Sequence, residues 1–241
     1  MALPVADLAQ LFAAIVDIES VSGEERRLAD AVEETLRGAA HLGVTRYGDT
    51  IVARTNLGRP SRVVIAGHLD TVPVAGNLPS RWEDGPTGPN LYGRGTCDMK
   101  GGIAVMLRLA LALAAPTSDV TWVYYDHEEV AYDANGLGRV LDTAPELLAG
   151  DFAVLLEPTG AVIEGGCQGS IRLDVTTRGR AAHSARSWLG HNAIHDIADV
   201  IELVRAYPVG EVMVDGLSYR EGLNVTLING GVAGNVIPDH C

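Results

Sequence analysis

The sequence predicts an α/β fold, a mostly parallel sheet covered by helices on both faces, followed by a smaller α+β domain. Three observations predict it. Continuous apolar runs of strand length, Arg62 to Gly67 (RVVIAG), Val120 to Tyr125 (VTWVYY) and Phe152 to Leu156 (FAVLL), alternate with helical patterns, as strands buried on both faces do. Apolar residues fill 47% of the 241 positions, enough for a sizeable core. After Gly165 the pattern changes to strict alternation in Ser170 to Thr177 (SIRLDVTT), the mark of a half-exposed strand.

The elements follow in order. Residues 6–18 read as a helix. Ser22, three positions before Glu25, forms a capping-box signature for a second helix ending near Gly38. Short strands are expected at 44–47 and 51–55, then the buried strand at 62–67. Lys100 to Ala115 carries a long helical pattern stopped by Pro116. The strands at 120–125 and 152–156 complete a first domain of residues 1–167. In the second, residues 168–241, a strand at 170–177 precedes an amphipathic helix over 192–207 with Ile194, Ile197, Ala198, Ile201 and Val204 on one face, and Leu223 to Ile228 reads as a further strand. The sequence ends after GNVIPDHC, in what reads as a turn into another strand, so both domains are expected to be truncated.

Composition excludes several classes. A formal net charge of −13 opposes nucleic-acid binding, which needs clustered Lys and Arg. Three cysteines, Cys97, Cys167 and Cys241, with no C-x-x-C, argue against a disulfide framework and for a reducing compartment. The opening MALPVADLAQ has no basic n-region, and the longest apolar run, Ile103 to Ala115, is too short to span a bilayer and contains Arg108. A cytoplasmic protein with no membrane partner is expected.

Each buried strand run is followed by metal-competent side chains. His68 and Asp70 follow the first, Asp126, His127, Glu128 and Glu129 the second, and Glu157 the third. Asp98 lies in a glycine-rich turn, GRGTCDMKGG (93–102), that opens the long helix. In parallel sheets, sites lie beyond the carboxyl ends of the strands. Any one of these residues alone reads as an ordinary loop group; four groups on one sheet edge point to a site. Imidazole and carboxylate suit zinc, and paired metals can share a bridging carboxylate and water. The Glu128–Glu129 pair can divide into one ligand and one base. Asp70, two residues beyond His68, can accept the second imidazole N–H. His191 and His195 lack the glutamate of H-E-x-x-H and read as a solvated helix face. His183 stays ambiguous on pattern alone, and Cys97 reads as a buried thiol. G-x-S-x-G and G-x-G-x-x-G are absent.

GHLDTVP (67–73), GRGTCDMKGG (93–102), DHEE (126–129) and EPT (157–159) together resemble the ordered signature set of the dinuclear zinc metallopeptidases of aminoacylase and carboxypeptidase type. AGNLPSR (75–81), RAAHSARSWLGHNAIH (180–195), REGLNV (220–225) and GGVAGNVIPD (230–239) are similar to the actinobacterial desuccinylase branch of that family. The resemblance implies a zinc-binding catalytic domain over 1–167 and a lid and dimerisation domain over 168–241. It implies two zinc ions, with cobalt as a substitute, held by His68 and Glu157 on one side and Glu129 on the other, with Asp98 bridging. Glu128 becomes the general base and Asp70 orients His68. His183 stabilises the oxyanion, Asn235 contacts substrate, and Arg178, Arg180 and Arg186 are cationic candidates for substrate carboxylates. The implied reaction is hydrolysis of an N-succinyl amide of diaminopimelate. The implied partners are a small N-acyl amino acid and a second copy of the chain. Acetylornithine deacetylase and aminoacylase chemistry, or an inactive metal-binding or dimerising remnant, are the alternatives. The family has Asp-Glu-Glu-Gly where this chain has Asp126-His127-Glu128-Glu129-Val130, which leaves His127 without a role. The family also takes a last metal-ligating His from a later segment that no residue here matches.

Overall fold

A computed structural model describes residues 3–86, 88–166 and 168–241. The chain divides into two compact units, Met1–Ala161 and Val162–Cys241. Cys167, counted above among the three cysteines, lies outside the described residues.

In the first unit, α1 (Leu8–Val16) starts where Asp7 accepts a hydrogen bond from the Gln10 amide at 2.8 Å, and it buries Leu11, Ile15 and Val16. α2 (Arg26–Arg37) buries Leu28, Ala29, Val32 and Leu36 at helical spacing. β1 (Gly43–Tyr47) and β2 (Thr50–Arg54) form an antiparallel hairpin. β3 (Arg62–His68), the exposed hairpin β4 (Arg81–Gly85) and β5 (Gly88–Tyr92), α3 (Lys100–Ala112), β6 (Asp119–Tyr125), α4 (Gly136–Thr143) and β7 (Phe152–Leu155) complete the unit. α3 ends three residues before the expected Ala115.

The main sheet has the order β1-β2-β6-β3-β7. β6, β3 and β7 are mutually parallel, whereas β2 pairs antiparallel with both β1 and β6. The sheet is therefore mixed, with β2 alone running against the other four. The strands alternate in what they bury. Ile51, Ala53, Trp122 and Tyr124 pack with α1, α2 and α3, and Val52, Val64, Ala66, Val123 and Tyr125 pack with Val140 of α4 on the opposite face. β2, β3 and β6 are packed on both faces, which is why β3 and β6 read as continuous apolar runs. β7, at the sheet edge, leaves Phe152 66% and Leu155 55% exposed, so the third run is not the buried strand its apolar sequence predicts. Trp122 and Tyr124 are fully buried, and the indole N–H and phenol O–H find no hydrogen-bond partner among the described residues.

In the second unit, α5 (Ala193–Arg205) is capped by Asn192, whose side chain accepts from the Ile194 amide at 2.9 Å. β9 (Glu211–Val214) and β10 (Leu217–Arg220) form a hairpin across Asp215-Gly216, both at positive φ. The Asp-Gly pair between two apolar runs is a hairpin signal not counted among the expected elements. β8 (Ala182–His183) pairs with β11 (Val236–Ile237). Two expectations fail here. Residues 170–177 and 223–228 belong to no strand. Alternation marks a backbone ready to pair, but a strand also needs a ladder partner, and among the described residues only Thr177 finds one, exchanging both backbone hydrogen bonds with Cys241; Ile171 stays 82% and Leu173 70% exposed. The buried face of α5 is also rotated from the expected one. Ala193 and Ile197 are buried with Cys241, while Ile194 and Ile201 are exposed. Among the described residues no helix is long and apolar enough to cross a membrane.

Candidate metal centre

The sheet order brings the expected residues together. β3 lies between β6 and β7, with His68 opposite Tyr125 and Ala66 opposite Leu155. The carboxyl ends of three adjacent parallel strands therefore deliver His68, the 126–129 turn and Glu157 to one edge. Asp98 arrives from the start of α3. The close approach depends on glycine: at Gly102 an added Cβ would stand 2.8 Å from the Leu156 carbonyl oxygen. Gly95, at φ +80, supplies the left-handed turn before Asp98. Buried Lys100 fastens the helix start by donating from Nζ to the Ile18 carbonyl at 2.7 Å.

His68 is 1% exposed. Its Nε2 lies 3.0 Å from Asp98 Oδ1 and 3.8 Å from Glu157 Oε2. His68, Asp98 and Glu129 place one donor atom each within 4.8 Å of one another. The Glu128 side chain is exposed and that of Glu129 half-buried.

Asp70 does more than its spacing implies. The nearest partner of His68 Nδ1 is the Asp70 backbone carbonyl at 3.0 Å, with the carboxylate oxygen at 3.5 Å. The fully buried carboxylate also accepts from the Glu128 and Glu129 amides at 2.9 and 3.0 Å and from the Ser22 hydroxyl at 2.7 Å. Asp70 thus meets His68 through its backbone carbonyl first and its carboxylate at longer range, while the carboxylate also fixes the 128–129 backbone.

The capping-box reading of Ser22 and Glu25 fails for the same reason. Ser22 is engaged by Asp70. Glu25, fully buried, makes no side-chain cap to α2, and its carboxylate accepts from the Gly23 amide at 3.0 and 2.9 Å and the His127 amide at 3.2 Å. The S-x-x-E signal is visible in the sequence, but its tertiary partners are not. Cys97, expected to be buried, is exposed: the turn aims Met99 inward instead, where Sδ accepts the His68 amide at 3.2 Å.

The electrostatics record crowded carboxylates. Burial lowers the His68 pKa, but hydrogen bonds to Asp70 and Asp98 and the charge of Glu157 outweigh it and lift it to about 9. Burial, with Asp98 and Glu128 nearby, pushes Glu157 up to about 7 against the opposing pull of His68. Burial and then Asp98 raise Glu129. For Asp70, burial acts upward, yet His68, the two amides and Ser22 hold it at about 2. Acids lifted toward neutrality around one buried imidazole are groups that a bound cation would relieve, and neutral imidazole with carboxylate is a donor set for zinc or cobalt. The residues present fit a metal.

Three further expected residues lie in the second unit. Asn235 and His183 come to one corner of it: the Ser184 amide donates to the Asn235 carbonyl at 2.9 Å, and Val236 pairs with His183. His183 Nδ1 accepts from the Ala185 amide at 3.1 Å. Arg178 forms an isolated bridge with His240. All three are exposed.

Residues 64–219 match the peptidase family M20/M25/M40. The chain is 52% identical over 234 residues to a putative succinyl-diaminopimelate desuccinylase of Mycobacterium tuberculosis, covering 97% of this chain and 65% of that protein. It is 53% identical over 230 residues to succinyl-diaminopimelate desuccinylase of Corynebacterium glutamicum, covering 93% of this chain and 61% of that protein. The chain thus spans somewhat under two thirds of the length of these curated relatives. A Staphylococcus aureus tripeptidase shares the fold, with a TM-score of 0.69 at 19% identity over 100% of this chain and 65% of that one. With its metal-competent residues gathered at one sheet edge inside the matched stretch, the chain belongs to peptidase family M20/M25/M40.

Proposed function

We propose that this chain carries the metal-binding part of an amidohydrolase that converts N-succinyl-LL-2,6-diaminopimelate into succinate and LL-2,6-diaminopimelate. One observation carries the reaction class: the convergence of His68, Asp98, Glu129 and Glu157 beside a turn pinned to Asp70. The substrate class comes from the identity to the two actinobacterial desuccinylases.

His68 and Glu157 would hold one metal, Glu129 the other, and Asp98 both. When bound, the pair would acidify a water and polarise the amide carbonyl. Glu128 takes the proton of the attacking water on its exposed carboxylate and returns it to the leaving amine nitrogen, while its backbone stays fixed to Asp70. Asp70 stays ionised and keeps His68 and the turn in register. His183 as oxyanion donor, Asn235 and Arg178 as substrate contacts, zinc as the native metal, the homodimer and a cytoplasmic location are assigned on the family resemblance.

The test measures metal stoichiometry and hydrolysis of succinyl- and acetyl-amino acids for the unchanged chain and Glu128→Gln. Succinyl-specific turnover that falls about 100- to 10,000-fold in the variant with metal content retained, the range a positioned general base contributes, supports the reading. Preference for acetylornithine or another acetylated substrate would move it to a neighbouring branch of the family. A chain that bound no metal would overturn it.

A further inference from the structure

We propose that Glu25 is a positioning residue for the metal centre, its buried carboxylate holding the 126–129 turn in the backbone conformation that brings Glu129 to His68 and Asp98. The proposal rests on the reading of Glu129 as a metal ligand.

The turn is unusual at His127, whose φ is 60. That left-handed region crowds any residue with a Cβ, and such a residue stays there only where the surroundings hold it. What holds it here is a run of three consecutive amides. The His127 amide donates to Glu25 at 3.2 Å, and the Glu128 and Glu129 amides donate to Asp70. Glu25 Oε1 also lies 3.4 Å from His127 Nδ1, which itself sits 2.7 Å from Asp126 Oδ2. Asp126 is tied in turn to Thr50 and Arg139.

The two carboxylates that receive the amides belong to one cradle. Val21 and Thr71 bridge in parallel, the Ser22 amide donates to the Thr71 carbonyl at 3.1 Å, and the Thr71 amide donates to the Ser20 carbonyl at 2.9 Å. Ser22 then joins Asp70 directly. Segment 20–25 thereby reaches the centre without supplying a ligand: Glu25 acts through the backbone of His127 on the residue two positions later. A buried carboxylate whose hydrogen bonds go to backbone amides serves this purpose because it offers acceptors only. A glutamine of the same shape would turn an N–H₂ toward one of those amides.

The test is a double-mutant cycle on the full chain, read by cobalt titration in a calorimeter and by the visible absorption of the bound ion, which reports ligand geometry. Glu25→Gln is expected to weaken Co²⁺ binding about tenfold and to shift the absorption band. Glycine adopts a φ of 60 without strain, so in a His127→Gly background the same Glu25→Gln change should cost less than threefold. A purely structural role for Glu25 would lower the melting temperature without moving the affinity of the folded chain, and glycine at 127 would not rescue it. Equal binding by Glu25→Gln and the unchanged chain, or an undiminished loss in the glycine background, overturns the proposal. Where Glu25→Gln does not fold, Glu25→Asp, which keeps both acceptors on a shorter stem, takes its place in the cycle. Failure of the unchanged chain to bind Co²⁺ would instead overturn the metal-centre reading beneath it.

Discussion

Replacing Asp70 by Asn should destabilise the first unit by about 2 kcal/mol at pH 7, a figure that follows from the lowered pKa of the carboxyl and from the hydrogen bonds that lower it. The carboxyl is held at about 2 against an ordinary 3.8, and each tenfold change in proton affinity corresponds to about 1.4 kcal/mol. The group is fully buried, so solvent screening does not discount the value. The same hydrogen bonds give the scale directly: the amide keeps one acceptor oxygen and turns an N–H₂ toward the Glu128 amide, the Glu129 amide or Ser22, losing at least one hydrogen bond to a charged acceptor, worth about 1.5–3 kcal/mol. The pH dependence has a definite sign. A folded-state pKa below the unfolded one contributes stability that is complete above about pH 4 and disappears as pH falls through about 2. Urea unfolding of the metal-free chain, followed by tryptophan fluorescence between pH 7 and pH 2, measures the gap. It should be near 2 kcal/mol at neutral pH and close on acidification. A gap below about 0.5 kcal/mol at pH 7, or one that persists unchanged to pH 2, refutes the assignment of Asp70 as an ionised clamp.

Two further substitutions probe the scaffold. Gly102→Ala drives a methyl against the Leu156 carbonyl, a backbone atom that cannot swing away, and should cost about 1–3 kcal/mol in urea unfolding; Gly138→Ala in α4, where an added Cβ meets no atom within 4 Å, should be neutral or stabilise by about 0.5–1 kcal/mol in the same measurement. Tyr124→Phe removes a fully buried hydroxyl that has no partner among the described residues, so it should leave stability unchanged or raise it by about 1 kcal/mol, and a loss above 1 kcal/mol in denaturant titration would show that the hydroxyl is satisfied.

The legible parts of the chain are those where local pattern and burial coincide. The runs 62–67 and 120–125 form β3 and β6 almost residue for residue because the sheet is covered there on both faces, so burial leaves no alternation to mislead; the run 152–156 forms β7 although Phe152 and Leu155 stay exposed. The illegible parts are those where one local signal serves two possible partners. Ser22 and Glu25 carry the spacing of a capping box, yet a hydroxyl bonds whichever acceptor is nearest in space, and Asp70, forty-eight residues away, is nearer than the helix end. Residues 170–177 have the alternation of a strand, but among the described residues only Thr177, against Cys241, is paired backbone to backbone. His127 reads in sequence as an insertion without a role; only its φ and its amide partner show what it does to the turn.

Side-chain type settles which residues could form the centre, because donor chemistry travels with the residue, and the hydrophobic pattern settles that they follow strands, because apolar runs end where polar groups must meet water. Whether those residues meet is a property of the folded chain. The order β6-β3-β7 sets three strand ends side by side, and two buried carboxylates, Asp70 and Glu25, collect three consecutive amides and so fix the turn that carries Glu129. Strand order and the partner of a buried charge depend on contacts between residues dozens of positions apart, and local periodicity holds no record of them.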